Sequence, residues 1–257
     1  MRICIIIPMY NEERMTHACL SSILPYVREL SKTQVVIVND GSTDKTSQAL
    51  EPFHRDHADV LDVVRHERNQ GYGAALRTGI AYAREHGFDS VIFMDSDLTN
   101  HPKYLRALYD KLHEGYEYVK ATRYAHGGRT EGVPWKARVF SRLGNIVARL
   151  LFGVPLSDCT NGFRAVRVSL YDGISLQENG FAIIMEELYH IASKRPRYAE
   201  VPYVLTSRKA GQGTSSFAYT PQTIKRYLSY ALHFASRRLR ERFNPSQRTS
   251  KSDMSML

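Results

Sequence analysis

Asp95 and Asp97, with Ser96 between them, follow directly on the apolar run at positions 90–94. Two carboxylates so spaced, where a chain leaves a strand for a turn, can converge on one hard divalent ion. Mg²⁺ or Mn²⁺ takes one or two protein carboxylates and completes its shell from substrate phosphate oxygens. A cation held in this way neutralises charge on a departing diphosphate. An acidic pair near a turn is by itself more often simply solvated, so its meaning depends on what else reaches the same place. Two further polar stretches qualify, Pro8-Met9-Tyr10-Asn11-Glu12 and Asn39-Asp40-Gly41-Ser42-Thr43-Asp44, each following an apolar run. Asp40 and Asp44 are equally suited to forming a turn and capping the helix that follows, and for Asp44 that is the preferred reading.

The elements that must bring these stretches together are legible from periodicity. Short β-branched runs at 2–7, 34–38, 60–65 and 90–94 read as strands, and between them 12–30, 44–57 and 71–87 read as helices, the second with Ser42 and Thr43 at its start. Strands alternating with helices predict an α/β fold, Rossmann-like, with a mostly parallel central sheet flanked by helices. In such sheets ligands bind beyond the carboxyl ends of the strands, where Tyr10, Asn11, Asp40, Gly41, Asp95 and Asp97 all fall. A helix from Pro102 to about Gly115 and a strand at 117–122 continue the pattern, and the Gly-rich stretch 127–133 reads as a mobile loop.

Positions 135–152 form a basic amphipathic helix: Val139, Phe140, Leu143, Ile146, Val147, Leu150 and Leu151 recur at helical spacing, with Lys136, Arg138, Arg142 and Arg149 among them. Such a stripe can pack on the parent sheet or lie in a lipid headgroup layer, and the sequence leaves both open. A second helix at 218–243 is tyrosine-rich early and carries Arg237, Arg238, Arg240 and Arg242 late, a composition that anionic lipid favours. Positions 244–257 lose their apolar residues and read as a disordered tail. The expected organisation is a catalytic domain over 1–217, the helical appendage over 218–243, and the tail.

At 257 residues, 43% hydrophobic and 24% charged, the chain can bury one sizeable core, which excludes wholesale disorder. Its 3 cysteines are scattered, so neither a disulfide framework nor a structural zinc site is expected, and a reducing cytosol fits. No stretch reaches the roughly twenty apolar residues of a membrane span. A net charge of +9 suits a polyanionic partner, nucleic acid or an anionic membrane face, but no basic-aromatic motif of a nucleic-acid module is present.

Taken jointly, the apolar strand ending in P-x-Y-N-E, the D-G-S-x-D turn and the D-x-D pair resemble the family 2 glycosyltransferases with the GT-A fold. That resemblance assigns Pro8, Tyr10, Glu12 and Asp40 to the nucleoside of a nucleotide-sugar donor, and Asp95, Ser96 and Asp97 to its diphosphate and to Mg²⁺ or Mn²⁺. Asn69-Gln70-Gly71-Tyr72-Gly73 is similar to the family's N-x-G-x-G segment, where small residues let a helix start approach the donor. In the second half, Ala121-Thr122-Arg123-Tyr124, the Arg138, Ser141, Asn145 spacing, residues 158–164 and Gly180-Phe181 leading to Glu186 are similar to the polyprenol-phosphate sugar synthases, dolichol-phosphate mannose synthases among them.

The second resemblance implies an acceptor phosphate held by Arg123, Arg138, Ser141, Arg164 and Arg208, since guanidinium forks bind phosphate oxygens bidentately. It also implies inverting transfer to a polyprenyl phosphate at the cytoplasmic face of a membrane, with the protein peripheral there. A phosphate nucleophile is already ionised, so catalysis would reduce to alignment and charge neutralisation. A sugar-hydroxyl acceptor is the alternative, and it would need Asp158 or Glu186 as a base. The chain departs from the pattern at Thr99, a weaker ligand than the usual glutamine, and at Ala137, where an arginine is frequent.

Overall fold

The computed structural model describes residues 1–207 and 220–243. Its first half is the expected alternation: β1 (Ile3–Met9), α1 (Glu13–Arg28), β2 (Thr33–Asn39), α2 (Thr46–Asp56), β3 (Leu61–Arg65), α3 (Tyr72–Glu85) and β4 (Ser90–Phe93). There follow α4 (Leu105–His113), β5 (Tyr118–Thr122), β6 (Arg129–Glu131), α5 (Trp135–Phe152), β7 (Arg164–Arg167), α6 (Ile183–Ala192), β8 (Tyr198–Pro202), β9 (Val204–Thr206) and α7 (Pro221–Phe243).

The main sheet has the order β3-β2-β1-β4-β7-β5-β8. All its neighbours run parallel except β7, which is antiparallel to both β4 and β5. Both faces are covered, so the strands are apolar at successive positions rather than alternately. Ile6, Val36 and Phe93 face α3 and α6 on one side, while Ile5, Ile37 and Ile92 face α1 and α4 on the other. With β1, β2 and β4 parallel, their carboxyl ends share one rim, and Tyr10, Asp40 and Asp95 stand on it.

Two expectations need correction. The stretch 127–133 is not simply a loop: Arg129–Glu131 forms β6, which pairs in parallel with β9. The α2 helix is not capped by Ser42 or Thr43, because Asp44 accepts from Thr46 N at 2.9 Å, while Asn11 Oδ1 accepts from Thr43 N at 2.8 Å and so ties the tip of β1 to the following turn.

The stripe on α5 does not pack on the sheet. The inward side of the helix is small or polar, with Ser141, Asn145, Ala148 and Phe152 buried. Its large apolar residues face out, Leu150 at 73% and Leu143 at 58% exposure. Helix α7 packs beside α5 and α6 through Tyr230, Ala231 and Phe234, all buried in the same core as the sheet. No helix among the described residues is long and apolar enough to cross a membrane.

Candidate active site

The rim opens into a cleft of about 920 Å³. At one end it is lined by Pro8, Tyr10, Asp40, Gly71, Asp95 and Asp97. Ser96 and Glu12 also line it, so the whole set assigned to a donor by sequence comes to one place. Asp97 Oδ1 accepts from Thr99 N at 3.0 Å and Thr99 Oγ1 at 2.7 Å, the turn that carries the chain away from β4. Asp95 accepts from Tyr72 Oη at 3.2 Å and from Asn100 Nδ2 at 3.2 Å.

Two aspartates offering carboxylate oxygens suit a hard ion that expects phosphate oxygens for the rest of its shell. The Oδ1 of Asn100, buried beside Asp95 and without a hydrogen-bond partner among the described residues, is an acceptor of the kind that the water shell of such an ion satisfies. The donor set therefore fits Mg²⁺ or Mn²⁺.

Asp40 works mainly inward. Its carboxylate accepts from Gln70 N at 2.9 Å and Gly71 N at 2.8 Å, and His66 Nδ1 lies 2.6 Å away. These bonds fold the 66–71 loop over the rim and deliver the start of α3 to the cleft. Gly41 makes the fold-back possible: its φ is +65°, and a Cβ there would strike the backbone of Arg68. Gly41→Ala is accordingly expected to cost about 1–2 kcal/mol for the left-handed backbone alone, and to weaken nucleoside diphosphate binding through the displaced loop. Thermal shift with GDP and UDP reads both effects; an unchanged melting temperature and an unchanged ligand shift would contradict this.

The middle of the cleft is cationic. Arg123 lines it and is held from behind by Asp158, which is fully buried, through Nε at 2.7 Å and Nη2 at 2.8 Å. Burial opposes the guanidinium charge, but the Asp158 carboxylate outweighs it and raises the pKa, so Arg123 stays charged. Nη2 also reaches Thr160 Oγ1 at 3.3 Å, while Nη1 is unengaged among the described residues. Ser141 lines the cleft beside it, its Oγ accepting from Tyr124 Oη at 2.8 Å. Asn145 bridges α5 to the 158–160 turn, donating to Thr160 Oγ1 at 3.1 Å and accepting from Cys159 N at 2.6 Å.

Several sequence assignments do not survive this geometry. Arg164 cannot meet a phosphate: its guanidinium is buried and doubly bonded to Glu187 at 2.6 Å on both branches, because β7 sits between β4 and β5 inside the sheet. Asp158 is Arg123's partner and does not line the cleft, which removes it as a base. Glu186 is likewise committed, accepting from Gln177 N at 2.8 Å and Glu178 N at 2.9 Å, and anchors the 176–181 loop. Burial raises its pKa, without giving it access to the cleft. Arg138 is exposed on α5 and is not a lining residue. Arg208 lies outside the described residues.

The far end of the cleft, unforeseen from the sequence, is apolar. Phe140, Leu143 and Val147 of α5, Ile184 of α6, and Tyr227 and Leu228 of α7 line it. Phe140, Leu143 and Val147 are also 47%, 58% and 41% exposed, so the cleft wall runs on into the outward face of α5. Tyr72 and Phe181, stacked at 4.5 Å, stand where the two ends meet. Both sit in segments that the sequence singled out for their glycines.

Comparison with known proteins places the chain in a family. Residues 4–174 match the profile of Glycosyl transferase family 2. The chain is 28% identical over 221 residues to the polyprenol monophosphomannose synthase of Mycolicibacterium smegmatis, covering 82% of this chain and 79% of that one. It is 27% identical over 219 residues to the undecaprenyl-phosphate mannosyltransferase of Micrococcus luteus, covering 84% and 88%. Glucosyl-3-phosphoglycerate synthase from Mycobacterium tuberculosis, solved with Mn²⁺, uridine diphosphate and phosphoglyceric acid, superposes with a TM-score of 0.65 at 22% identity, over 91% of this chain and 78% of that one. That last likeness is one of fold.

Proposed function

The chain belongs to glycosyl transferase family 2, and from that membership we propose that it transfers a sugar, with inversion, from GDP-mannose or a UDP-sugar to a polyprenyl phosphate at the cytoplasmic face of a membrane. The observation that carries the acceptor assignment is the continuity of the cleft: one end carries carboxylates, the middle an arginine, and the far wall merges with an exposed apolar helix face. An acceptor with an anionic head and a hydrocarbon tail matches that order. The names of the two mannosyltransferase relatives support the same class.

In this reading Asp95 and Asp97 hold Mg²⁺ or Mn²⁺ with the donor diphosphate, and the ion, when bound, neutralises the leaving charge. The N-terminus of α3 at Tyr72 adds its dipole to the diphosphate site. Arg123, locked by Asp158, offers Nη1 to the acceptor phosphate, with Ser141 beside it. Because the phosphate oxygen is already ionised, alignment replaces proton abstraction. Neither carboxylate that a hydroxyl acceptor would call on lines the cleft, which favours the phosphate.

The test is direct: purified protein with Mn²⁺ or Mg²⁺, a panel of GDP- and UDP-sugars, and undecaprenyl or dolichyl phosphate in detergent. Transfer to the lipid phosphate is expected, and turnover confined to hydroxyl acceptors would overturn the assignment. The membrane role has its own measurement. The outward face of α5 presents Ile146 and Leu150 with Arg142 and Arg149 exposed on the same helix, the composition of a helix that lies in an anionic interface. Ile146→Asp/Leu150→Asp should reduce co-sedimentation with phosphatidylglycerol vesicles by at least about tenfold, since each buried Leu-sized side chain contributes roughly 1.5–3 kcal/mol. Undiminished sedimentation would remove α5 from the interface.

A further inference from the structure

The first residue of a helix ordinarily faces solvent, and the N-x-G-x-G segment needs only small residues to approach a donor. Tyr72 is not small, and it is only partly exposed: it opens α3 and turns its ring into the cleft. Its hydroxyl donates to Asp95 Oδ1 at 3.2 Å. On the opposite carboxylate oxygen, Oδ2, Asn100 Nδ2 donates at 3.2 Å. The two donors come from separate elements, α3 and the turn after β4, and between them they hold the plane of the carboxylate from both edges.

The phenol is in turn held on its other sides. Its ring stacks on Phe181 at 4.5 Å and 26°, and Phe181 O accepts from Tyr227 Oη of α7 at 3.0 Å. Gly162 leaves room for the hydroxyl, since a Cβ there would stand 3.0 Å from it.

We infer that Tyr72 is a positioning residue, which orients the Asp95 carboxylate toward the divalent cation and so sets the metal affinity of the donor site. This rests on the reading of the cleft as a nucleotide-sugar site. Groups that orient metal-bound carboxylates are worth about 10–100-fold in metal affinity when removed. Tyr72→Phe keeps the ring and its stack and deletes only the donor.

The experiment is a Mn²⁺ titration followed by electron paramagnetic resonance, with Mn²⁺ alone and with GDP or UDP, on the full chain, Tyr72→Phe, Tyr72→Leu and Asp97→Asn. Tyr72→Phe is expected to weaken Mn²⁺ binding about tenfold, and transfer by that variant is expected to recover when Mn²⁺ is raised, which misfolding would not allow. If Asp97→Asn loses Mn²⁺ while both Tyr72 variants bind it like the parent, the inference fails and the functional reading stands. If the parent and Asp97→Asn bind Mn²⁺ alike, the functional reading fails and takes this inference with it.

Discussion

Asp97→Asn is expected to leave a folded protein whose glycosyl transfer falls by about 10²–10³-fold, the scale of losing one preorganised charge contact to the transition state. The substitution spares the turn because of how Asp97 Oδ1 is used. Its Oδ1 accepts the two bonds from Thr99 that shape the turn after β4, and an asparagine Oδ1 accepts the same pair. What changes is the charge that an ion and a diphosphate require. The variant should melt close to the parent without ligands, while the stabilisation that Mn²⁺ and nucleoside diphosphate give the parent, which grows as the logarithm of ligand over Kd, should disappear. Full turnover with ordinary metal dependence would mean that the cleft's carboxylates serve another purpose.

The second large effect concerns stability. Arg164 and Glu187 are both buried with no exposed side-chain surface, and Glu187 also accepts from Tyr171 Oη at 2.7 Å and Tyr118 Oη at 3.1 Å. Removing one partner of such a pair leaves an uncompensated charge, typically about 3–5 kcal/mol. Glu187→Gln strands a guanidinium that cannot give up its proton, so this site adds no pH dependence to the variant's own stability; near neutral pH a drop on the order of 10 °C in melting temperature is expected.

Arg164→Met strands a carboxylate instead, and the two variants should part company on acidification. In the parent, burial acts to raise the Glu187 pKa, but Arg164 outweighs it and lowers the pKa, so the pair's contribution is present above the unfolded carboxyl pKa and lost as pH falls through the folded one. Without Arg164 the folded pKa lies above the unfolded one. The variant's stability then declines as pH rises through the unfolded pKa, and its deficit is smallest in acid. Thermal melts from pH 4 to 8 separate the two patterns. Parallel curves for both variants would show that the buried carboxylate does not titrate as argued. A phosphate-binding Arg164 would instead have lost activity at unchanged stability.

Local chemistry made much of the molecule legible from its residues alone. The β-branched runs and helical periodicities marked the layers of the first half, since a strand buried on both faces must be apolar throughout and a flanking helix must carry a stripe. The Asp95/Asp97 pair, Asp40 and the glycines of the N-x-G-x-G segment were readable because strand ends and tight backbone approaches demand particular residue types at short spacing. Tertiary structure decided the rest, for one physical reason: a side chain's role depends on which surface its element turns inward. Arg164 and Arg123 look alike as phosphate ligands in sequence, yet β7 inserts antiparallel between β4 and β5 and buries the first against Glu187, while the second sits at a strand end behind which Asp158 is waiting. The stripe on α5 satisfies a core and a membrane equally well, and the packing of the opposite face, where Ser141 bonds to Tyr124 and Asn145 to the 158–160 turn, turns it outward.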